Sequence, residues 1–146
     1  MTSLKHPDLV SLVMAAVDRI LHVEKGQVLE AEGIKLHPSE IHVLLFLHAR
    51  PGANASEIAE RFGITKGAVS QTLSRLEKKG VLTKDRNPES QTELVISLTG
   101  RGVRLLKEAL RLKAAAEKKF DAALAQLTEP DREAVGKFFR AFEGKE

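Results

Sequence analysis

Cysteine is absent from this 146-residue chain. Disulfides, thiolate metal sites, cysteine nucleophiles and thiol-based redox sensing are therefore excluded. No run of 18 or more apolar residues exists to cross a bilayer. The opening MTSLKHPDL lacks the basic segment, apolar core and small-residue cleavage site of a secretion signal, so the expected location is cytoplasmic, with no membrane partner. Also missing are a Ser-His-Asp spacing, a phosphate-cradling glycine loop and an HExxH motif, and the chain does not read as an enzyme. His6, His22, His37, His42 and His48 are scattered with no i, i+4 pair, although His37 and Glu40 lie three apart. Without thiolates or a dense cluster they read as surface or core residues, not metal ligands, and no cofactor is expected. Glu30 and Glu32, with Asp18 and Glu24, read as a solvated face and not an acid/base dyad. Internal repeats and low-complexity tracts are absent.

What is present fits one ordinary domain, or a small module with extra helices packed around it: 42% hydrophobic and 29% charged residues in 16.0 kDa. The net charge of +3 says little until it is located. Residues 65–86 hold Lys66, Arg75, Lys78, Lys79, Lys84 and Arg86 against Glu77 and Asp85, a net of +4, so the rest of the chain is slightly acidic. A surface that meets phosphates concentrates charge in this way. Lysines at a solvated helix C-terminus would do so too, and charge alone leaves the two readings open.

Apolar spacing predicts a first helix from Leu9 to about Leu29 with two stripes, Leu9, Val13, Ala16 and Ile20 on one side and Val10, Val17, Leu21 and Val28 on the other. One face suffices for packing within a domain, so the surplus points to burial against a second chain, with the central helix of a monomer as the alternative. Glu30 to Lys35, around Gly33, reads as a connector. Pro38 opens a second helix that stops near Arg50, ahead of Pro51 and Gly52. Asn54 and Glu57 form a capping box for a short third helix ending at Gly63.

Thr65 then caps a fourth helix, Lys66 to about Lys79. Val69, Thr72, Leu73 and Leu76 share its inner face; Gly67, Ser70, Gln71, Ser74 and Lys78 share the outer one. Gly80 stops it. Val81 to Arg86 and Glu93 to Leu98, joined by Asn87-Pro88-Glu89-Ser90 turn chemistry, predict a two-stranded hairpin leaning on the preceding helices. Thr99 caps a long helix to about Leu127. Thr128, Pro130 and Asp131 open a last one whose Phe138, Phe139 and Phe142 would fray in water unless a partner subunit buried them.

Helix, short helix, tight glycine turn, polar-faced helix and hairpin, in that order, make a winged helix-turn-helix. The expected fold class is mainly α with a small β-hairpin wing: a winged helix-turn-helix lobe over 37–99, flanked by a helical dimerisation region over 1–36 and 100–146. SEIAERFGITKGAVSQTLSRLEKKGVL (Ser56 to Leu82) and LVISLTGRGVRLL (Leu94 to Leu106) resemble the MarR-type transcriptional regulators, and the helix-flanked layout matches over nearly the whole chain. The resemblance implies a homodimer with interlocked first, fifth and sixth helices. It also implies two lobes reading a pseudo-palindromic operator in double-stranded DNA, and a small-molecule effector that weakens DNA binding.

Residue chemistry supports this independently. Ser70, Gln71 and Ser74 can meet base edges, Gln71 with a bidentate contact to adenine. Lys66, Arg75 and Lys78 would reach phosphates, and the N–H groups at Thr65 to Gly67 could take one more. Gly67 either permits close backbone approach to DNA or is merely tolerated in the first turn. The wing departs from the family pattern: where relatives place an Asp-Arg or Arg-Arg pair, this chain has Ser90-Gln91-Thr92. Arg86 and Lys84 are then left to touch the DNA backbone, Gln91 to read an A·T edge, and the salt dependence should be weaker than with an arginine-tipped wing. The reading is a ligand-responsive repressor. Its alternative is a winged-helix protein-interaction dimer with weak or lost DNA binding. An effector pocket, if built, would fall near His22 or His42.

Overall fold

The computed structural model describes residues 5–26, 28–90 and 92–144, excepting the side chains of residues 6, 7 and 19–25. The chain divides into two units, Met1–Ala109 and Leu110–Glu146.

In the first unit, helix α1 (His6–Gly26) is followed by two three-residue strands, β1 (Leu29–Ala31) and β2 (Ile34–Leu36). They pair antiparallel, Leu29 opposite Leu36 and Ala31 opposite Ile34. This corrects the expected connector over 30–35 and the expected end of α1 at Leu29. The turn between the strands has Glu32 and Gly33 both at positive φ, 57° and 71°, as a two-residue hairpin of matching twist demands. Glycine suits that position; glutamate does not signal it. The hairpin turns Leu29 and Leu36 into the core.

Helix α2 (Pro38–Ala49) starts on its proline, as expected. Helix α3 (Ala55–Phe62) is closed at its N-terminus by the reciprocal pair Asn54 and Glu57: the Glu57 N–H donates to Asn54 Oδ1 and the Asn54 N–H to Glu57 Oε2, both at 2.9 Å. Such a cap is worth about 1 kcal/mol. Gly63 ends α3 in the left-handed region at φ 61°, which sets the tight turn into α4 (Lys66–Lys78). Thr65 caps α4 by accepting the Ala68 N–H at 3.1 Å.

Strands β3 (Leu82–Arg86) and β4 (Leu94–Leu98) form the wing, with Leu82 opposite Leu98 and Arg86 opposite Leu94. Helix α5 (Gly100–Leu124) begins against the end of α4. The Thr99 hydroxyl donates to the Gly80 carbonyl at 2.6 Å and accepts the Gly102 N–H at 3.1 Å, the cap expected of it. The core brings together Leu36 and Leu44, Ile58 of α3, Val69, Leu73 and Leu76 of α4, Val81, Leu82 and Leu105, all essentially free of solvent. The described α1 side chains, by contrast, are exposed, Leu9, Val10, Leu12, Met14 and Val17 among them.

The second unit holds the remainder of α5 and helix α6 (Glu129–Phe142), which is capped by Thr128 with Asp131. Arg132 donates to the Leu127 carbonyl at 2.8 Å and so ties α6 to the turn before it. Phe138 and Phe139 meet edge to face at 5.3 Å. Among the described residues of this unit no side chain is buried, and Phe139 and Phe142 are 59% and 82% exposed.

Candidate nucleic-acid interface

A helix with four buried positions and a polar remainder presents the remainder outward. On α4, Val69, Thr72, Leu73 and Leu76 enter the core, while Lys66, Gly67, Ser70, Gln71, Arg75 and Lys78 are exposed and Ser74 is half-buried. Ser70, Gln71, Ser74, Arg75 and Lys78 line one open depression of about 310 Å³. Its rim carries amide and hydroxyl groups beside two cations, which suits both base edges and phosphates. Lys66 does not line this depression. It lines a second depression of about 290 Å³ with Asn54, Ser56, Thr92 and Leu94, bounded by the start of α3 and the wing. Ser56 there is a polar group that the spacing alone did not single out, and Asn54 was marked only as a helix cap.

At the start of α4 the Thr65 hydroxyl takes the Ala68 N–H, and the N–H groups of Lys66 and Gly67 come before the first intrahelical donor, the Val69 N–H, which reaches the Thr65 carbonyl at 3.1 Å. They lie at the positive end of the helix dipole, where an anion is favoured. A β-carbon at Gly67 would lie 3.8 Å from Thr65 Oγ1, an ordinary contact. The protein's own packing therefore does not demand glycine at 67.

Two of the six cations in the basic stretch are turned inward. Lys84, only 18% exposed, donates to Ser74 Oγ at 3.0 Å and pairs with Glu77 at 3.1 Å, so it fastens the wing to α4. Lys79 donates to both carboxylate oxygens of Glu40 at 2.8 Å and to the Lys35 carbonyl at 2.7 Å. Glu40 is 0% exposed and also accepts the His37 N–H at 2.8 Å, which explains the His37/Glu40 spacing without a metal. Loss of Lys79 alone would leave a buried carboxylate short of its counter-charge, at a cost of roughly 3–5 kcal/mol. The Arg75 Nε stands 3.7 Å from the same carboxylate, and its Nη2 donates to Thr72 Oγ1 at 2.9 Å. Glu40 and Thr72 were not among the residues expected to matter here. No local pattern reveals a pairing that spans 39 residues.

Arg86 is exposed at the far end of β3. Gln91 lies outside the described residues. Beside it, the hydroxyls of Ser90 and Thr92 are 3.2 Å apart and share a hydrogen bond. The His22 side chain is likewise outside the described set. His42 is half-buried and stacks on Phe62 with ring centroids 6.2 Å apart. Among the described residues, no group of three or more metal-ligating side chains occurs, and no helix is long and apolar enough to cross a membrane.

The sequence profile of the MarR family matches residues 34–91. The chain is 30% identical over 116 residues to the HTH-type transcriptional repressor Rv2887 of Mycobacterium tuberculosis, covering 80% of each. It is 26% identical over 101 residues to the uncharacterized HTH-type transcriptional regulator YvnA of Bacillus subtilis, 69% of this chain and 64% of that relative, so the match spans less than two thirds of YvnA. Among solved structures, Streptococcus pneumoniae FabT, crystallised in complex with DNA, superposes with a TM-score of 0.77 at 19% identity over 96% of each chain. That likeness establishes the winged-helix fold.

Proposed function

Since the chain belongs to the MarR family of transcriptional regulators, we propose that it acts as a homodimeric repressor, reading a pseudo-palindromic operator with one α4 from each protomer and released by a small-molecule effector. The observation that carries the DNA-reading part is the outward face of α4: Ser70, Gln71, Arg75 and Lys78 are exposed around one open depression. Thr65, Lys66, Gly67 and Arg86 supplement it with phosphate contacts, and Ser74 joins the base-reading set from beneath Lys84. Gln91 at the wing tip completes the expected contacts.

Homodimerisation is supported by the apolar surplus. Leu9, Val10, Leu12 and Met14 of α1, Phe120 of α5 and Phe138, Phe139 and Phe142 of α6 are all exposed in the single chain. Burial of one such side chain contributes about 1.5–3 kcal/mol, and a paired copy would bury many together. Two reading helices related by a twofold axis then require half-sites about one helical turn apart. Effector release enters the proposal from family membership, as does repression rather than activation.

The test is selection of bound duplexes from a random pool, repeated with Gln71→Ala. The expected result is a two-half-site consensus that loses its preference at one symmetric pair of positions. A parallel gel shift with random duplex across a salt series separates this reading from a dimer that has lost operator binding, for which no affinity appears even at low salt.

A further inference from the structure

The Arg75 guanidinium is gripped along one edge. Its Nε faces the wholly buried Glu40 carboxylate at 3.7 Å, and its Nη2 donates to the Thr72 hydroxyl at 2.9 Å. Both holding groups are fixed. Glu40 is locked by the His37 N–H and by Lys79, and the Thr72 hydroxyl, itself buried, is anchored through its donation to the Ala68 carbonyl at 3.1 Å. The side chain as a whole stays 49% exposed and borders the open depression on α4. An arginine free to sample its rotamers surrenders that freedom when it meets a phosphate; one already aligned along an edge gives up less.

From this arrangement we infer that Glu40 and Thr72 are positioning residues for DNA recognition. They touch no DNA themselves. They aim the free edge of Arg75 at a backbone phosphate and so fix the register of α4 in the groove. The inference rests on the reading of α4 as the DNA-contacting helix. It adds two residues that lie behind that surface. Glu40 also carries a cost: its negative charge weakens the field that Arg75 offers to any polyanion. The alignment therefore favours the correctly seated complex over loose association, and its effect is on discrimination more than on affinity as such.

The test compares binding of two probes: the duplex selected by the wild-type protein from a random pool, and a random-sequence duplex of equal length. Glu40→Gln keeps the shape and an acceptor for the His37 N–H, and is expected to raise affinity for the random duplex slightly while lowering the selected-to-random ratio about tenfold. Thr72→Val changes no charge, and is expected to lower the ratio about threefold with random-duplex affinity unchanged. In an Arg75→Lys background, which has no planar edge to align, neither change is expected to lower the ratio further.

Should Glu40→Gln fold poorly, the Thr72→Val cycle decides by itself. An unchanged ratio in Thr72→Val, or the same losses persisting in the Arg75→Lys background, overturns the inference and assigns both residues to the packing of α4. If Gln71→Ala alters the consensus while Arg75→Lys leaves the ratio intact, the positioning role falls and the reading of α4 stands. If no duplex is selected at all, both fall.

Discussion

The Glu32 carboxylate receives two parallel hydrogen bonds from the Arg104 guanidinium, from Nε at 2.7 Å and Nη2 at 2.9 Å, across 72 residues of sequence. This bidentate pair clasps the β1–β2 turn to the first part of α5. The hydrogen bond, with the Arg104 charge behind it, holds the Glu32 carboxyl below the ordinary carboxylate range. A depressed folded-state pKa gives stability that is present at neutral pH and lost as pH falls through that lowered value. Glu32→Gln should therefore lower the urea midpoint slightly at pH 7, and the two proteins should converge in strong acid. A gap that stayed constant with pH would show that the clasp owes nothing to charge.

At Gly102 the first turn of α5 lies against the backbone of Val81. A β-carbon there would overlap the carbonyl oxygen of Val81, a backbone atom that cannot step aside. Gly102→Ala should cost about 2 kcal/mol or more in equilibrium unfolding. Gly100, whose added β-carbon would meet only the far end of Arg104 at 3.7 Å, should accept alanine with little change.

Gly67 separates stability from recognition. Because its surroundings leave room for a methyl group, Gly67→Ala should leave the fold intact and stabilise it by about 0.5 kcal/mol. If the start of α4 comes close to the DNA backbone, the same methyl should lower affinity for the selected duplex by about tenfold. Retained affinity would mean that the helix start stands clear of the phosphates.

Lys84 and Arg86 sit on one strand and are expected to differ. Arg86→Ala should reduce the slope of log K against log salt by about one, as removal of a single phosphate contact does. Lys84→Met should leave the slope unchanged, since its ammonium is engaged by Ser74 and Glu77. It should weaken binding by releasing the wing from α4. A slope matching that of arginine-winged relatives would contradict the neutral-tip reading of Ser90 and Thr92.

Phe139→Glu tests the partner surface. The residue is exposed in the single chain, so the substitution should not disturb α6 itself. Placed against a second copy it would bury a charge, and sedimentation should show monomers where the unaltered protein gives dimers. Operator affinity should then fall more than about 100-fold, because two linked lobes have become independent ones.

The helix boundaries that sequence foretold are those written in short-range chemistry. Pro38 at the start of α2, the Asn54/Glu57 pair, Gly63 after α3 and Thr128 before α6 each act on backbone groups within a few residues. The outward face of α4 was readable for the same reason, from helical periodicity alone. Hidden from that reading was whatever depends on distant partners. Strands β1 and β2 are three residues each and turn on a glutamate, so neither length nor turn chemistry announced them. The buried Glu40 gave no local sign, and Lys79 and Lys84, counted as surface charge, are consumed by carboxylates of the protein itself.

One hydroxyl has a mechanical consequence. Thr99 Oγ1 holds the Gly80 carbonyl just after α4 and the Gly102 N–H in the first turn of α5, and Gly102 lies hard against Val81. With the Val81 carbonyl trapped between them, the joint has no slack. The end of α4 and the first turn of α5 thus share one backbone joint, and a substitution that displaces either is expected to displace the other, as an oar moves with its lock.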